Sequence, residues 1–147
     1  MLQIDFFETN ADLSTDGQKT FTDFLFEHLE QYGDPKNDIA KAIDYALSDE
    51  PNKGGFLLIA RFDDQIVGGV VMNKTGMKDY IPENILVYIA THKDYRGQGI
   101  GKKLMNAATS KAEGAVALHV EPDNPARHLY SKVGFTNKYL EMRLAKN

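Results

Sequence analysis

The chain has 147 residues, 42% hydrophobic and 26% charged, which is the composition of a single globular domain. Seventeen basic against twenty-one acidic residues leave a net charge of −4, so the basic excess of a nucleic-acid-binding surface is missing. The absence of cysteine excludes disulfides, thiolate metal sites and a covalent acyl-cysteine intermediate.

The opening MLQIDFFETN lacks the basic-then-apolar order of a signal peptide. No apolar run approaches the roughly 18 residues that a membrane helix needs. The expectation is a cytoplasmic protein with no membrane and no nucleic-acid partner.

In chain order, Leu2, Ile4 and Phe6 alternate with Gln3 and Asp5, predicting a strand. From Asp16 to Tyr32 the residues Phe21, Phe24, Leu25, His28, Leu29 and Tyr32 recur at helical spacing, with Gly33 as the stop. A second helix is predicted from about Asp38 to Ser48, with Ile39, Ala42, Ile43, Ala46 and Leu47 inside. FLLIARFDDQIVGGVVMNK reads as an antiparallel hairpin turning at Asp63–Asp64. A polar loop, KTGMKDYIP, leads to ENILVYIAT, a strand rich in β-branched residues whose body is Ile85–Thr91.

A helix starting near Gly99 follows, marked by Leu104, Met105, Ala108 and Ala112. GAVALHV is a strand with Val116, Leu118 and Val120 on one face. NPARHLYSKVGF reads as a short helix with Asn124 as N-cap, Pro125 at the first helical position and Gly134 at the end. A final strand alternates Leu140, Met142 and Leu144 with Glu141 and Arg143. The order β-α-α-β-β-β-α-β-α-β describes one α/β domain over residues 1–147, with a mixed, mostly antiparallel central sheet flanked by helices.

The stretch DYRGQGIGKKL, Asp94 to Leu104, carries three glycines within five residues between a strand and a helix. A helix N-terminus offers amides without internal partners and a positive dipole, and glycine lets a phosphate approach them. Arg96, Lys102 and Lys103 add charge there. A Walker loop fails, because only three residues separate Gly97 from Gly101 and Lys102 is followed by Lys103. A dinucleotide fingerprint fits Gly97 and Gly99 but finds Lys102 at the third glycine, although Glu121 lies where a ribose-binding acid would.

Arg96-x-x-Gly99-x-Gly101 resembles the coenzyme A pyrophosphate motif of the GNAT superfamily of N-acetyltransferases. NPARHLYSKVGF, about 25 residues on, resembles that family's later motif through Asn124, Leu129, Tyr130, Lys132, Gly134 and Phe135. The resemblance implies a GNAT-like fold and acetyl-coenzyme A as co-substrate, with no metal. It implies that the backbone of Arg96, Gly97, Gln98, Gly99, Ile100 and Gly101 wraps the pyrophosphate. Backbone groups of Ile89, Ala90 and Thr91 would pair with the pantetheine arm and aim an N–H at the thioester carbonyl. Asn124 would touch the pantetheine, while Arg127 and Lys132 would meet phosphates.

Tyr130 matches the position whose phenol protonates the departing thiolate. Glu83 is the candidate general base, with Glu121, His119 and a water chain as rivals. Asp79 and Tyr80 suit an ammonium, whereas Lys74 and Lys78 in the same loop oppose one. His28, His92 and His128 have no ligand-like spacing and read as surface or packing residues.

The reading is transfer of an acetyl group to a primary amine by direct attack in a ternary complex, on a small-molecule or peptide acceptor, with a homodimer left open. A non-catalytic acyl-coenzyme A sensor and a nicotinamide-dependent oxidoreductase are the alternatives.

Overall fold

Two adjacent glycines explain how the sheet accepts helices on both faces. A Cβ at Gly69 would lie 2.2 Å from Cε1 of Phe21, and one at Gly68 would lie 2.7 Å from Cδ1 of Leu104. Successive strand residues face opposite sides, so this pair lets one helix press on each face. The frame comes from a computed structural model that describes residues 1–146. Its elements are β1 (Leu2–Phe7), α1 (Thr15–Leu29), α2 (Lys36–Ala46), β2 (Gly55–Phe62), β3 (Gln65–Lys74), β4 (Asn84–Thr91), α3 (Ile100–Lys111), β5 (Val116–Leu118) and α4 (Arg127–Lys132).

The sheet order is β1-β2-β3-β4-β5. The first four strands are antiparallel neighbours, and β5 joins β4 in parallel. Alternation splits the core into two layers. Leu57, Ile59, Val71, Tyr88 and Ala90 face α1 and α2, while Leu58, Ala60, Val70, Leu86 and Ile89 face α3 and α4. The α1 N-terminus is capped by Ser14, whose Oγ accepts the Gly17 N–H at 3.0 Å.

The expected α/β class, the hairpin and the late β-α-β unit are all present. Several boundaries differ, among them α2, which runs over Lys36–Ala46 rather than from about Asp38 to Ser48. The expected run of helix to Tyr32 ends as α-helix at Leu29 and continues as one tighter turn over Glu30–Tyr32. The strand expected over GAVALHV keeps only Val116–Leu118, because its partner strand turns away beyond Leu86. The final strand does not form: residues 140–146 have no strand structure, and Leu140, Met142 and Leu144 are 84%, 89% and 83% exposed. Alternation had predicted it, but alternation supplies no backbone partner.

Candidate functional site

Strand β4 makes the opening of the site. Its register with β3 steps from Met72↔Leu86 to Val71↔Tyr88, so Val87 is the extra residue of a β-bulge. Val87 and Tyr88 accordingly both pack on the α1/α2 side, breaking the alternation. Pairing with β5 stops at Leu86↔Leu118, whereas β4 runs on to Thr91 beside β3. From Val87 to Thr91 the edge of β4 that faces β5 is therefore unpaired, and the two strands splay. Ile89, Ala90 and Thr91 sit on that open edge, where backbone groups can receive an extended amide-bearing ligand.

Beyond Thr91, a tight turn over Lys93–Tyr95 is held by His92, whose Nδ1 accepts the Asp94 N–H at 3.1 Å. The glycine stretch follows. Gly97 and Gly99 adopt φ of +80° and +83°, the left-handed region that favours glycine. A Cβ at either would meet nothing within 4 Å, so the space over the loop is open. Gly99 begins α3, and no side chain caps that helix. The first-turn amides therefore point into a cavity of about 350 Å³ lined by Thr91, Arg96, Gly97, Gly99, Gly101 and Lys132, among others. The Ile100 side chain is buried in the core, and only its backbone belongs to the loop. Gln98 is exposed and its side chain makes no wall of this cavity.

Arg96 is engaged elsewhere. Its guanidinium donates to Glu30 Oε1 at 2.8 Å and to the His28 carbonyl at 2.9 Å, tying the loop to the end of α1. His28 is 5% exposed, and its Nδ1 accepts the Lys93 N–H at 3.1 Å. Burial, and then the neighbouring His92 ring, hold His28 below the ordinary imidazole range. The reading of His28 as a packing residue fits; its link to Arg96 crosses 68 residues and had no signal in the sequence.

Across the splay lies α4. Tyr130 is 8% exposed, packs edge-on to Phe135 at 6.1 Å, and joins the core cluster of Leu86, Ile89 and Leu118. Burial pushes its phenol up to about 12, so it carries its proton at neutral pH. Lys132 lines the cavity. Arg127 does not: its Nη1 donates to the Pro122 carbonyl at 2.8 Å, bracing the loop before α4. The helix begins at Arg127, so Asn124 is not its N-cap as expected; Asn124 Oδ1 instead accepts the Ala126 N–H at 2.9 Å in the turn before it.

Glu83 immediately precedes β4, on the side of the Val87 bulge away from Thr91. Its Oε1 accepts the Ala115 N–H at 2.7 Å and its Oε2 the Asp79 N–H at 3.2 Å. Those backbone donors hold its carboxyl below the usual range. A carboxylate so placed clamps two loops together. His119 and Glu121 are exposed on the segment leading from β5 to α4.

A second polar pair went unforeseen. Tyr88 donates to Asp34 Oδ2 at 2.5 Å, and Tyr32 donates to the Asp123 carbonyl at 3.2 Å. The loop between α1 and α2 is thus pinned to β4 and to the segment before α4. No group of three residues able to hold a metal ion occurs among the described residues. Among the described residues, no helix is long and apolar enough to cross a membrane.

Taken together, the open strand edge, the uncapped helix and the buried phenol suit a phosphate-bearing ligand with an extended amide arm. The family model described as Acetyltransferase (GNAT) domain matches residues 53–137, more than half of the chain and all of these features. No curated protein matches in sequence. Among solved structures, the fold is similar to a ribosomal-protein-alanine N-acetyltransferase from Brucella melitensis biovar Abortus, at 21% identity and TM-score 0.66 over 99% of this chain and 100% of that one. It is also similar to an aminoglycoside N-acetyltransferase in complex with CoA, at 15% identity and TM-score 0.70 over 99% and 96%. A transcriptional regulator from Bacillus halodurans shares it too, at 18% identity and TM-score 0.67 over 98% and 100%.

Proposed function

The chain belongs to the GNAT acetyltransferase family, and from that premise we propose that it moves an acetyl group from acetyl-coenzyme A to a primary amine by direct attack in a ternary complex. The observation that carries this reading is the splay after Leu86↔Leu118, which opens beside the uncapped start of α3. The amides of Gly97 to Gly101 take the pyrophosphate, with Lys102 and Lys132 close enough to the cavity to add charge. Arg96 lines the same cavity and braces the loop through Glu30. The pantetheine arm lies along Ile89, Ala90 and Thr91. Asn124 and Arg127 shape the segment leading into α4.

In the transfer, the amine lone pair attacks the thioester carbonyl carbon. A backbone N–H on the open edge of β4 stabilises the resulting oxyanion. Collapse breaks the C–S bond. A phenol at about 12 is a weaker acid than a thiol of pKa near ~8.5. Tyr130 therefore donates its hydrogen bond to sulfur as that bond breaks, and the thiol's final proton is the one the amine sheds. Tyr130→Phe should keep coenzyme affinity and lower turnover by about 10²–10³, the effect of removing one hydrogen-bond donor from developing charge.

The acceptor class is a small molecule or peptide. One fold neighbour is a ribosomal-protein-alanine N-acetyltransferase and another an aminoglycoside N-acetyltransferase, both acting on amines. The −4 net charge favours a cationic one. The test is thiol release from acetyl-coenzyme A against polyamines, aminoglycosides, amino acids and peptides with free N-termini. The chain has no cysteine and adds no thiol background. Tight binding of acetyl-coenzyme A without turnover on any amine would favour a sensor, and no binding at all would refute the reading.

A further inference from the structure

Two imidazoles hold the turn that leads into the glycine loop. His28, in the last turn of α1, is buried, and its Nδ1 accepts the Lys93 N–H at 3.1 Å. His92 Nδ1 accepts the next amide, that of Asp94, also at 3.1 Å. Consecutive amides of one tight turn thus rest on two nitrogen lone pairs, each of which a proton can remove. The two rings are 4.1 Å apart, with Phe24 4.7 Å from His28 and Tyr95 edge-on to His92 at 5.3 Å. Thr91 before this turn, and Tyr95, Arg96 and Gly97 after it, line the cavity beside the start of α3. The same end of α1 grips the loop again, because the His28 carbonyl and Glu30 both accept from the Arg96 guanidinium.

The charges around His28 come from α1, from the turn and from the glycine loop. On α1, Glu27 Oε2 lies 3.7 Å from His28 Nε2 and favours an imidazolium. His92 and Lys93 at the turn, and Arg96 at the loop, oppose one. Asp94 lies 4.0 Å from His92 Nδ1, and Glu30 is committed to Arg96. Burial and the neighbouring ring outweigh Glu27, so His28 is neutral at pH 7 and its Nδ1 lone pair is free to accept. A proton on Nδ1 would set two N–H groups against each other across 3.1 Å, so that either the ring or the turn must move.

We propose that His28 is a positioning residue for the coenzyme loop, holding it while the ring is neutral and releasing it on protonation, so that coenzyme binding weakens in mild acid. This rests on the assignment of the cavity to coenzyme A made above. A turn displaced for part of the time lowers the apparent affinity in proportion to the fraction still in place. Because coenzyme binds the form with neutral His28, coenzyme and proton oppose one another, and each weakens the other by the same factor. Affinity is full above the ordinary imidazole range near ~6.5. It falls as pH drops through the lowered His28 value, by at most about tenfold per pH unit for one linked proton.

The test measures the dissociation constant of acetyl-coenzyme A by calorimetry on the full chain from pH 8 to 5. The ligand's own monoester phosphate titrates near ~6, but it does so identically with every variant. His28→Asn places an amide oxygen near the Nδ1 position, where it accepts the Lys93 N–H without titrating. The ratio of wild-type to variant affinity should therefore fall several-fold as the pH is lowered. Lys93→Pro removes the N–H and leaves His28 in place; His92 already has the extended ψ of 132° that a following proline requires. Its affinity should likewise stop following His28, while NMR of the imidazole still shows the ring titrating. In the wild type, saturating acetyl-coenzyme A should lower the titration midpoint of His28. Binding profiles that run parallel in wild type and both variants would overturn the role of His28, as would a midpoint that the coenzyme does not move. No binding at any pH would refute the coenzyme assignment itself, and the role with it.

Discussion

Replacing Gly99 by valine isolates what the glycine loop does, because Gly134 supplies a matched control. Both glycines hold positive φ, +83° and +109°, and a Cβ at either would meet nothing within 4 Å. Neither substitution creates a clash within the protein, so both carry the backbone cost of a left-handed L-residue, at least about 1–2 kcal/mol. An unfolding entropy of ~2.1 cal/mol/K per residue gives this chain roughly 0.3 kcal/mol/K, so that cost lowers Tm by about 3–6 °C in either variant. Acetyl-coenzyme A at ~100 times its dissociation constant adds about 2.7 kcal/mol, raising wild-type Tm by roughly 9 °C. At Gly99 the new side chain stands over the uncapped amides of α3, in the space assigned to phosphate. At Gly134 it stands beyond the end of α4. Thermal melts with and without acetyl-coenzyme A should show the same baseline loss in both variants, with the ligand shift kept by Gly134→Val and lost by Gly99→Val. If Gly99→Val keeps the full shift, the loop does not hold the coenzyme. NAD should move none of these melts, and a larger shift from NAD would revive the nicotinamide alternative.

Glu83→Gln should leave the pH profile of turnover superimposable on wild type while lowering Tm at neutral pH, since one Gln oxygen cannot serve both the Ala115 and Asp79 N–H groups. Because the folded carboxyl is held below its unfolded value, its stabilisation is full above about pH 4.3 and fades as pH falls through the folded pKa, so the two melts should converge in acid. His28 is also held low: its neutral form supports the fold above about pH 6.5, and stability is lost as pH falls from there towards the folded pKa. Melts from pH 7.5 to 5 should therefore decline in wild type and flatten in His28→Phe; equal slopes would remove His28 from the acid response.

Local pattern and local chemistry were legible in the sequence, and pairings across distance were not. The hairpin about Asp63–Asp64 and the glycine start of α3 follow from short-range rules that need only neighbours. The Val87 bulge does not, because an extra residue exists only relative to the register of β3. The Arg96 contact with Glu30 was not legible, because the two residues lie 66 positions apart. The position of Glu83 at the head of β4 was readable, whereas the backbone donors to its carboxylate come from residues 79 and 115.

The same distinction explains where the site comes from. β4 pairs antiparallel on one side and parallel on the other, so it is the strand at which the sheet changes character. A bulge there increases local twist and turns the upper half of β4 away from β5. The resulting gap is lined by backbone, and the loop that follows offers backbone amides again. Most side chains named for the site therefore also pack or brace: Ile100 is buried and Ile89 half-buried in the core, while Arg96 and Arg127 tie loops together. Tyr130 is the exception, a phenol kept dry at the gap with burial alone shifting its acidity. On the proposed function, a backbone-built cradle with one phenol would serve the coenzyme half of the reaction and leave the acceptor half to the loop that Tyr32 and Asp34 pin in place. Exchanging that loop is accordingly the change that should alter which amine is used while leaving coenzyme binding intact.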